Sequence, residues 1–174
     1  KIRRKLKLPL KKEIILSVGR IFYLKGSDIL LDLIKKNPDK LFILIGDVID
    51  KHYQNLKSPN LLLIPSVDSK ELVDYYNSAD LFIFPSRIEA YGLVHREAML
   101  CETPALVSDI PALRLTEYAL KAKTNYRSMQ KEIDKFFSMS EKKRKGLGER
   151  SRAYVISENS YNKLKNKKRD LLLN

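Results

Sequence analysis

The chain has 174 residues, a formal net charge of +13, one cysteine and two histidines, and 44% of its residues are apolar. That suits one globular domain with a sizeable core. It excludes a bilayer-spanning run of roughly 20 apolar residues, an internal disulfide, since Cys101 stands alone, and a metal site built on histidine pairs, since His52 and His95 are far apart.

Ile14 to Val18 reads as a buried strand, and Gly26 to Lys36 as a helix with Ile29, Leu30, Leu33 and Ile34 on one face, ended by Asn37-Pro38-Asp39. Leu41 to Ile45 predicts a second strand, followed by Gly46-Asp47 and a short helix to Leu56. Leu61 to Ile64 predicts a third strand. Asp68 and Glu71 resemble a capping box opening a helix that turns Leu72, Val73 and Tyr76 inward. Leu81 to Phe84 predicts a fourth strand and Ala105 to Val107 a short fifth. After Ser108 the pattern reads as helical to the end, with helices over 126–137, 141–157 and, more weakly, 160–173. Strands apolar on both faces, alternating with helices, predict a doubly wound, Rossmann-like α/β domain with a parallel sheet of about five to six strands and a helical C-terminal tail.

Two segments carry the chemistry. The first is Pro85-Ser-Arg-Ile-Glu-Ala-Tyr-Gly-Leu-Val-His-Arg-Glu97, directly behind the fourth strand. It sets Glu89 and Glu97 on either side of Gly92. A helix beginning near Gly92 would offer the backbone N–H groups of Leu93 and Val94 to an anion. Both carboxylates would then face one polar, anionic ligand. The second is Ser17-Val-Gly19-Arg20 with Lys25-Gly26, at the C-terminal end of the first strand, where open α/β sheets bind ligands. Gly19 permits a tight turn, and Arg20 and Lys25 are a planar fork and a compact cation suited to two phosphates.

Together these segments resemble the C-terminal, donor-binding domain of the retaining GT-B glycosyltransferases of the group 1 family. The matching pieces are Ser17-Val-Gly-Arg with Lys25-Gly26, Ile45-Gly-Asp47, Ala79 to Ser86, Glu89 to Met99 and Thr103 to Asp109, in family order. The resemblance implies that Arg20 and Lys25 hold the donor diphosphate and neutralise the leaving nucleoside diphosphate in place of a metal ion. It implies that Glu97 accepts hydrogen bonds from the ribose and that Glu89 faces the transferred sugar. Gly92, Leu93 and Val94 would serve the sugar or distal phosphate, Gly46 would admit the nucleotide to the second strand's edge, and Val67 would lie beside the base. Glu102, where the family usually has glycine, departs from the pattern.

The resemblance further implies no cofactor and no metal, with a UDP-, GDP- or ADP-linked sugar as substrate. It implies an acceptor-binding N-terminal domain that these residues do not contain, in cis or as a separate subunit, so that the chain alone transfers poorly. The expected organisation is a basic interdomain linker or arm over 1–12, the nucleotide-sugar-binding domain over 13–157 and a basic C-terminal helix over 158–174. Residues 1–12 carry seven Lys/Arg and no acid, residues 141–174 eleven bases against four acids, and residues 13–140 sixteen against seventeen. Basic ends on a near-neutral body suit solvated surface or contact with an anionic membrane; no nucleic-acid partner is expected. The absence of a secretory leader at the start and the lone cysteine suggest a cytoplasmic protein, peripheral at the inner membrane face if the ends bind lipid. The alternative function is a non-catalytic Rossmann-like nucleotide-binding or scaffold domain.

Overall fold

A computed structural model of the chain describes residues 1–90, 92–114 and 116–158. The elements run α1 (Ile2–Lys5), β1 (Ile14–Val18), α2 (Ser27–Lys36), β2 (Leu41–Ile45), β3 (Leu61–Ile64), α3 (Ser69–Ser78), β4 (Leu81–Phe84), α4 (Leu93–Leu100), β5 (Ala105–Ser108), α5 (Pro111–Arg114), β6 (Leu120–Ala122), α6 (Tyr126–Phe137) and α7 (Glu141–Glu158). The six strands form one parallel sheet in the order β3-β2-β1-β4-β5-β6. This is the doubly wound, Rossmann-like arrangement that the alternating pattern predicts.

Alternation along the strands sorts the core into two layers. Ile14, Leu16 and Val18 of β1 point to the face covered by α3, α4 and α7, where Tyr76, Met99 and Val155 are buried. Ile15 of β1, with Phe42, Leu44, Leu81 and Ile83, points to the other face, covered by α2 and α6 through Leu33, Ile133 and Phe136. A period of two in the strands and an apolar stripe on each helix are sufficient for this sandwich. Side chains cap two of the helices: Asp68 accepts from the N–H groups of Lys70 and Glu71 at 2.9 Å each, and Asn125 accepts from Ser128 at 2.9 Å.

Several local expectations are corrected. The helix predicted up to Leu56 is only a 3₁₀ turn at Lys51–Tyr53, capped by Asp50; Asp50 competes for the backbone and the segment lacks an apolar stripe. On α3 Leu72 and Tyr76 face inward as expected, joined by Tyr75, while Val73 is exposed, because Val73 lies on the opposite side of the helix from Tyr75. The chain is not purely helical after Ser108: β6 extends the sheet beside β5. Its sequence Leu-Lys-Ala is too short and too polar to show a strand period. The helix expected over 160–173 lies outside the described residues.

The close spacing of β1 and β2 at their C-terminal ends depends on Gly46. Its φ is +145°, and a Cβ there would sit 2.2 Å from the Gly19 carbonyl oxygen. A Gly46→Ala variant combines a left-handed backbone with a backbone collision, so it should lose about 3 kcal/mol of stability or more. A lowered urea midpoint at unchanged m-value is the expected result.

Candidate functional site

The strand order reverses between β1 and β4, which pair side by side. At such a reversal open α/β sheets form a ligand crevice at the C-terminal ends of the strands. The helices that follow, α2 and α4, start from Gly26 and Gly92, both left-handed (φ 74° and 64°), and neither has a side-chain cap. Helices α3 and α6 satisfy their first amides with their own side chains. The two helices at the reversal start instead from a glycine and put their positive dipole ends at the C-terminal edge of the strands. At α2 the Asp28 carboxylate lies over the helix's own first amides.

The Gly19–Arg20 turn, the Gly46 turn and the Ser66–Val67 segment line one cleft of about 230 Å³, with Leu72 of α3 as its far wall. Gly19, Arg20, Gly46 and Val67 are thus brought together. Gly19 has a φ of +143°, and Arg20 is exposed with its guanidinium 5.5 Å from the centroid of Phe22. Asp47 ties the cleft's two loops together, accepting from Ser66 Oγ at 2.9 Å and Ser66 N at 3.3 Å.

Lys25 and Glu89, 64 residues apart, form a salt bridge. Glu89 Oε1 also accepts from the buried Ser86 hydroxyl at 3.0 Å, and Lys25 Nζ lies 5.5 Å from the centroid of the Phe84 ring. The approach of their loops depends on Gly26, where a Cβ would fall 2.2 Å from the Pro85 carbonyl oxygen. Glu97 stands apart from this pair. Its Oε2 accepts from the Tyr76 hydroxyl at 2.9 Å. Leu72 and Tyr76 share a face of α3 one turn apart, so Tyr76 holds Glu97 one helical turn from the cleft wall. Burial, then the Glu97 charge, push the Tyr76 phenol well above its ordinary range. Leu93 is exposed and Val94 half-buried at the start of α4.

Tyr76, Ser86, Asp47 and Arg87 were not identified as site residues from the sequence. Their contacts span 3 to 59 residues of chain; Asp47, Ser86 and Arg87 stood inside the motif segments and Tyr76 on the inward face of α3, but no local pattern named their partners. A larger hollow, about 900 Å³, lies elsewhere, around α7 between Met139 and Arg150. None of the predicted site residues lines it, and its rim of exposed lysines lacks the convergent amides and paired charges of the crevice. Among the described residues no three of His, Cys, Asp and Glu gather as a metal-binding set, and no helix is long and apolar enough to cross a membrane.

His95 on α4 is fully buried. Its ring stacks on Phe84 at 6.3 Å, and Nε2 meets Thr116 Oγ1 at 3.0 Å. Burial first, then the neighbouring Arg96 charge, lower its pKa from 6.5 to about 4. The folded state thus favours neutral imidazole.

The family model for glycosyl transferases group 1 matches residues 1–154. A D-inositol 3-phosphate glycosyltransferase of Xylanimonas cellulosilytica is 30% identical over 125 residues, covering 65% of this chain and 30% of that protein. An uncharacterised 41.2 kDa protein in the cps region of Klebsiella pneumoniae is 37% identical over 101 residues, covering 57% of this chain and 28% of that protein. Among solved structures, sucrose-phosphate synthase from Thermosynechococcus elongatus superposes with a TM-score of 0.84 at 24% identity, over 99% of this chain and 48% of that one. The chain therefore spans about 30% of the length of the curated relatives it matches.

The His95 shift sets a pH dependence. Because the folded pKa lies below the unfolded one, the stabilisation is complete above pH 6.5 and is lost as pH falls from there to about 4. About 3 kcal/mol is at stake across that window. Urea unfolding at pH 7 and pH 4.5 should show the loss, and a His95→Leu variant should show a smaller one.

Proposed function

The chain belongs to the glycosyl transferases group 1 family, and on that premise we propose that it is the donor-binding half of a retaining, metal-independent hexosyltransferase that uses a nucleoside-diphosphate sugar. The observation that carries this reading is the C-terminal edge of the strands at the β1/β4 reversal, where two glycine-started helices begin and where Arg20 and Lys25 line one hollow with Ser27, the first residue of α2. Backbone amides, a planar guanidinium and an ammonium are the donor set that a diphosphate needs. Charge developing on the leaving nucleoside diphosphate would be met by these preorganised groups without a metal ion.

Glu97 accepts from Tyr76 through one oxygen, and a carboxylate has further lone pairs to accept from a ribose hydroxyl. Gly19, Gly46 and Val67 would form the floor and side of the nucleotide cleft. Gly92, Leu93 and Val94 would present the α4 amides to the sugar or distal phosphate. Glu89, which Lys25 and Ser86 hold, would stabilise positive charge on the moving sugar rather than attack it. Retention itself rests on the family resemblance. The acceptor would bind to a further domain, joined in cis or as a separate subunit.

Calorimetric titration with UDP, GDP and ADP tests the reading. At least one should bind, and Arg20→Ala and Glu97→Ala should each weaken it about tenfold or more. Failure of all three to bind this chain overturns the proposal, as does a robust transfer rate from the 174 residues alone.

A further inference from the structure

Lys25 and Glu89 lie on separate loops, and beside their own salt bridge and a Ser86 hydroxyl bond to the Leu24 carbonyl at 3.3 Å, the Arg87 side chain joins those loops. The Arg87 fork donates to Asp28 Oδ1 and Oδ2 at 2.7 Å each and to the Tyr23 carbonyl at 2.7 Å. Its guanidinium stacks over the Tyr23 ring at 3.9 Å, and its backbone N–H donates to the Leu24 carbonyl at 2.8 Å. Three contacts thus reach the turn that presents Lys25 and two reach Asp28 in the first turn of α2, while Glu89 is two residues further along Arg87's own loop.

The clamp also has an electrostatic consequence. Asp28 is in the first turn of α2, at the helix end that faces the crevice. A bare carboxylate there would repel a diphosphate and compete with it for the α2 amides. Burial alone would raise the Asp28 pKa, but the bonds and charge of Arg87 together with the amides of Asp28 and Ile29 outweigh it, and the group is held below the usual carboxylate range. It is therefore a persistent anion, and Arg87 is the cation bonded to it.

We propose that Arg87 is a positioning residue of this site: it fastens the Lys25 turn to the Glu89 loop and neutralises Asp28 at the start of α2. The second half of this inference rests on the donor-site reading; the first half does not. The two roles separate chemically, because lysine keeps the charge but has no planar fork with which to hold two carboxylate oxygens and a carbonyl together.

The test uses the whole chain with Arg87→Ala, Arg87→Lys, Asp28→Asn and the Arg87→Ala/Asp28→Asn double variant. Amide hydrogen exchange at Lys25, Gly26 and Arg87 reads the clamp. Titration with whichever of UDP, GDP or ADP the parent chain binds reads the charge. Arg87→Ala and Arg87→Lys should both speed exchange at the three amides by about tenfold, with the β1 and β4 amides unchanged. Arg87→Ala should weaken nucleotide binding by about tenfold at low salt. Arg87→Lys should retain more affinity than alanine, and adding Asp28→Asn to Arg87→Ala should recover part of the loss. Unchanged exchange in both Arg87 variants overturns the clamp. An Arg87→Ala loss that Asp28→Asn does not relieve overturns the charge role. Faster exchange in a chain that binds none of the three nucleotides supports the clamp and overturns the donor-site reading instead.

Discussion

Strand β1 pairs with β2 on one edge and with β4 on the other, so the chain leaves the centre of the sheet in both directions. Parallel strands are joined by right-handed crossovers, which carry α2 to one face and α3 to the other. The helices that follow β1 and β4, α2 and α4, then lie on opposite faces of the sheet, and the crevice opens at the strand ends beside the contacts their loops make. Every candidate site residue is placed by this one constraint. Gly19 and Arg20 leave β1, Glu89 and Gly92 leave β4, and Gly46 and Val67 follow the neighbouring strands β2 and β3. The apolar layers above and below the sheet hold the strand ends in register, so the crevice sits on a rigid base.

The crevice collects charge that would be costly without partners, and each partner has a second anchor. Lys25 is shared between Glu89 and the Phe84 ring, Glu89 between Lys25 and Ser86, and Asp28 between Arg87 and the α2 amides. Such sharing fixes geometry more than it adds stability, since an ion pair gains little once side-chain ordering and desolvation are counted. An arriving anion would draw on groups already oriented, which lowers the ordering cost of binding.

What could be read from the chain follows the range of the interaction. β2 and β4 are continuous apolar runs and β1 is interrupted only by Ser17, and their burial needed no knowledge of partners. The glycines at 26, 46 and 92 marked turns, but what Gly26 and Gly46 admit, the backbones at Pro85 and Gly19, was invisible because it lies in other segments. β6 escaped because three residues, one of them Lys121, carry no period. Tyr75 and Val73 exchanged places because the α3 stripe is narrow and its tyrosines read as readily polar as apolar. The Tyr76–Glu97 and Arg87–Asp28 contacts join segments 21 and 59 residues apart, and no local pattern encodes such pairs. The family resemblance supplied the roles of Arg20, Lys25, Glu89 and Glu97; the groups that position them had to come from coordinates.

The basic ends gain a structural meaning from their partners. Arg3 pairs with Asp80 at 2.8 Å, Arg144 with Glu13 at 3.2 Å and Arg152 with Glu102 at 3.2 Å, and Lys5 pairs with Asp74. Each joins a terminal base to an acid of the near-neutral body, so part of the positive excess closes the ends onto the domain. An exposed pair such as Arg152–Glu102 contributes at most about 1 kcal/mol. Arg3 is different, because it also donates to the Ser78 carbonyl at 2.9 Å and the Lys12 carbonyl at 3.0 Å. Asp80 in turn accepts from the N–H of Ile14, the first residue of β1, at 2.7 Å. Arg3 is thereby tied to the entrances of β1 and β4 together. The two strands that open the crevice at one edge of the sheet are locked to each other, and to the start of the chain, at the opposite edge.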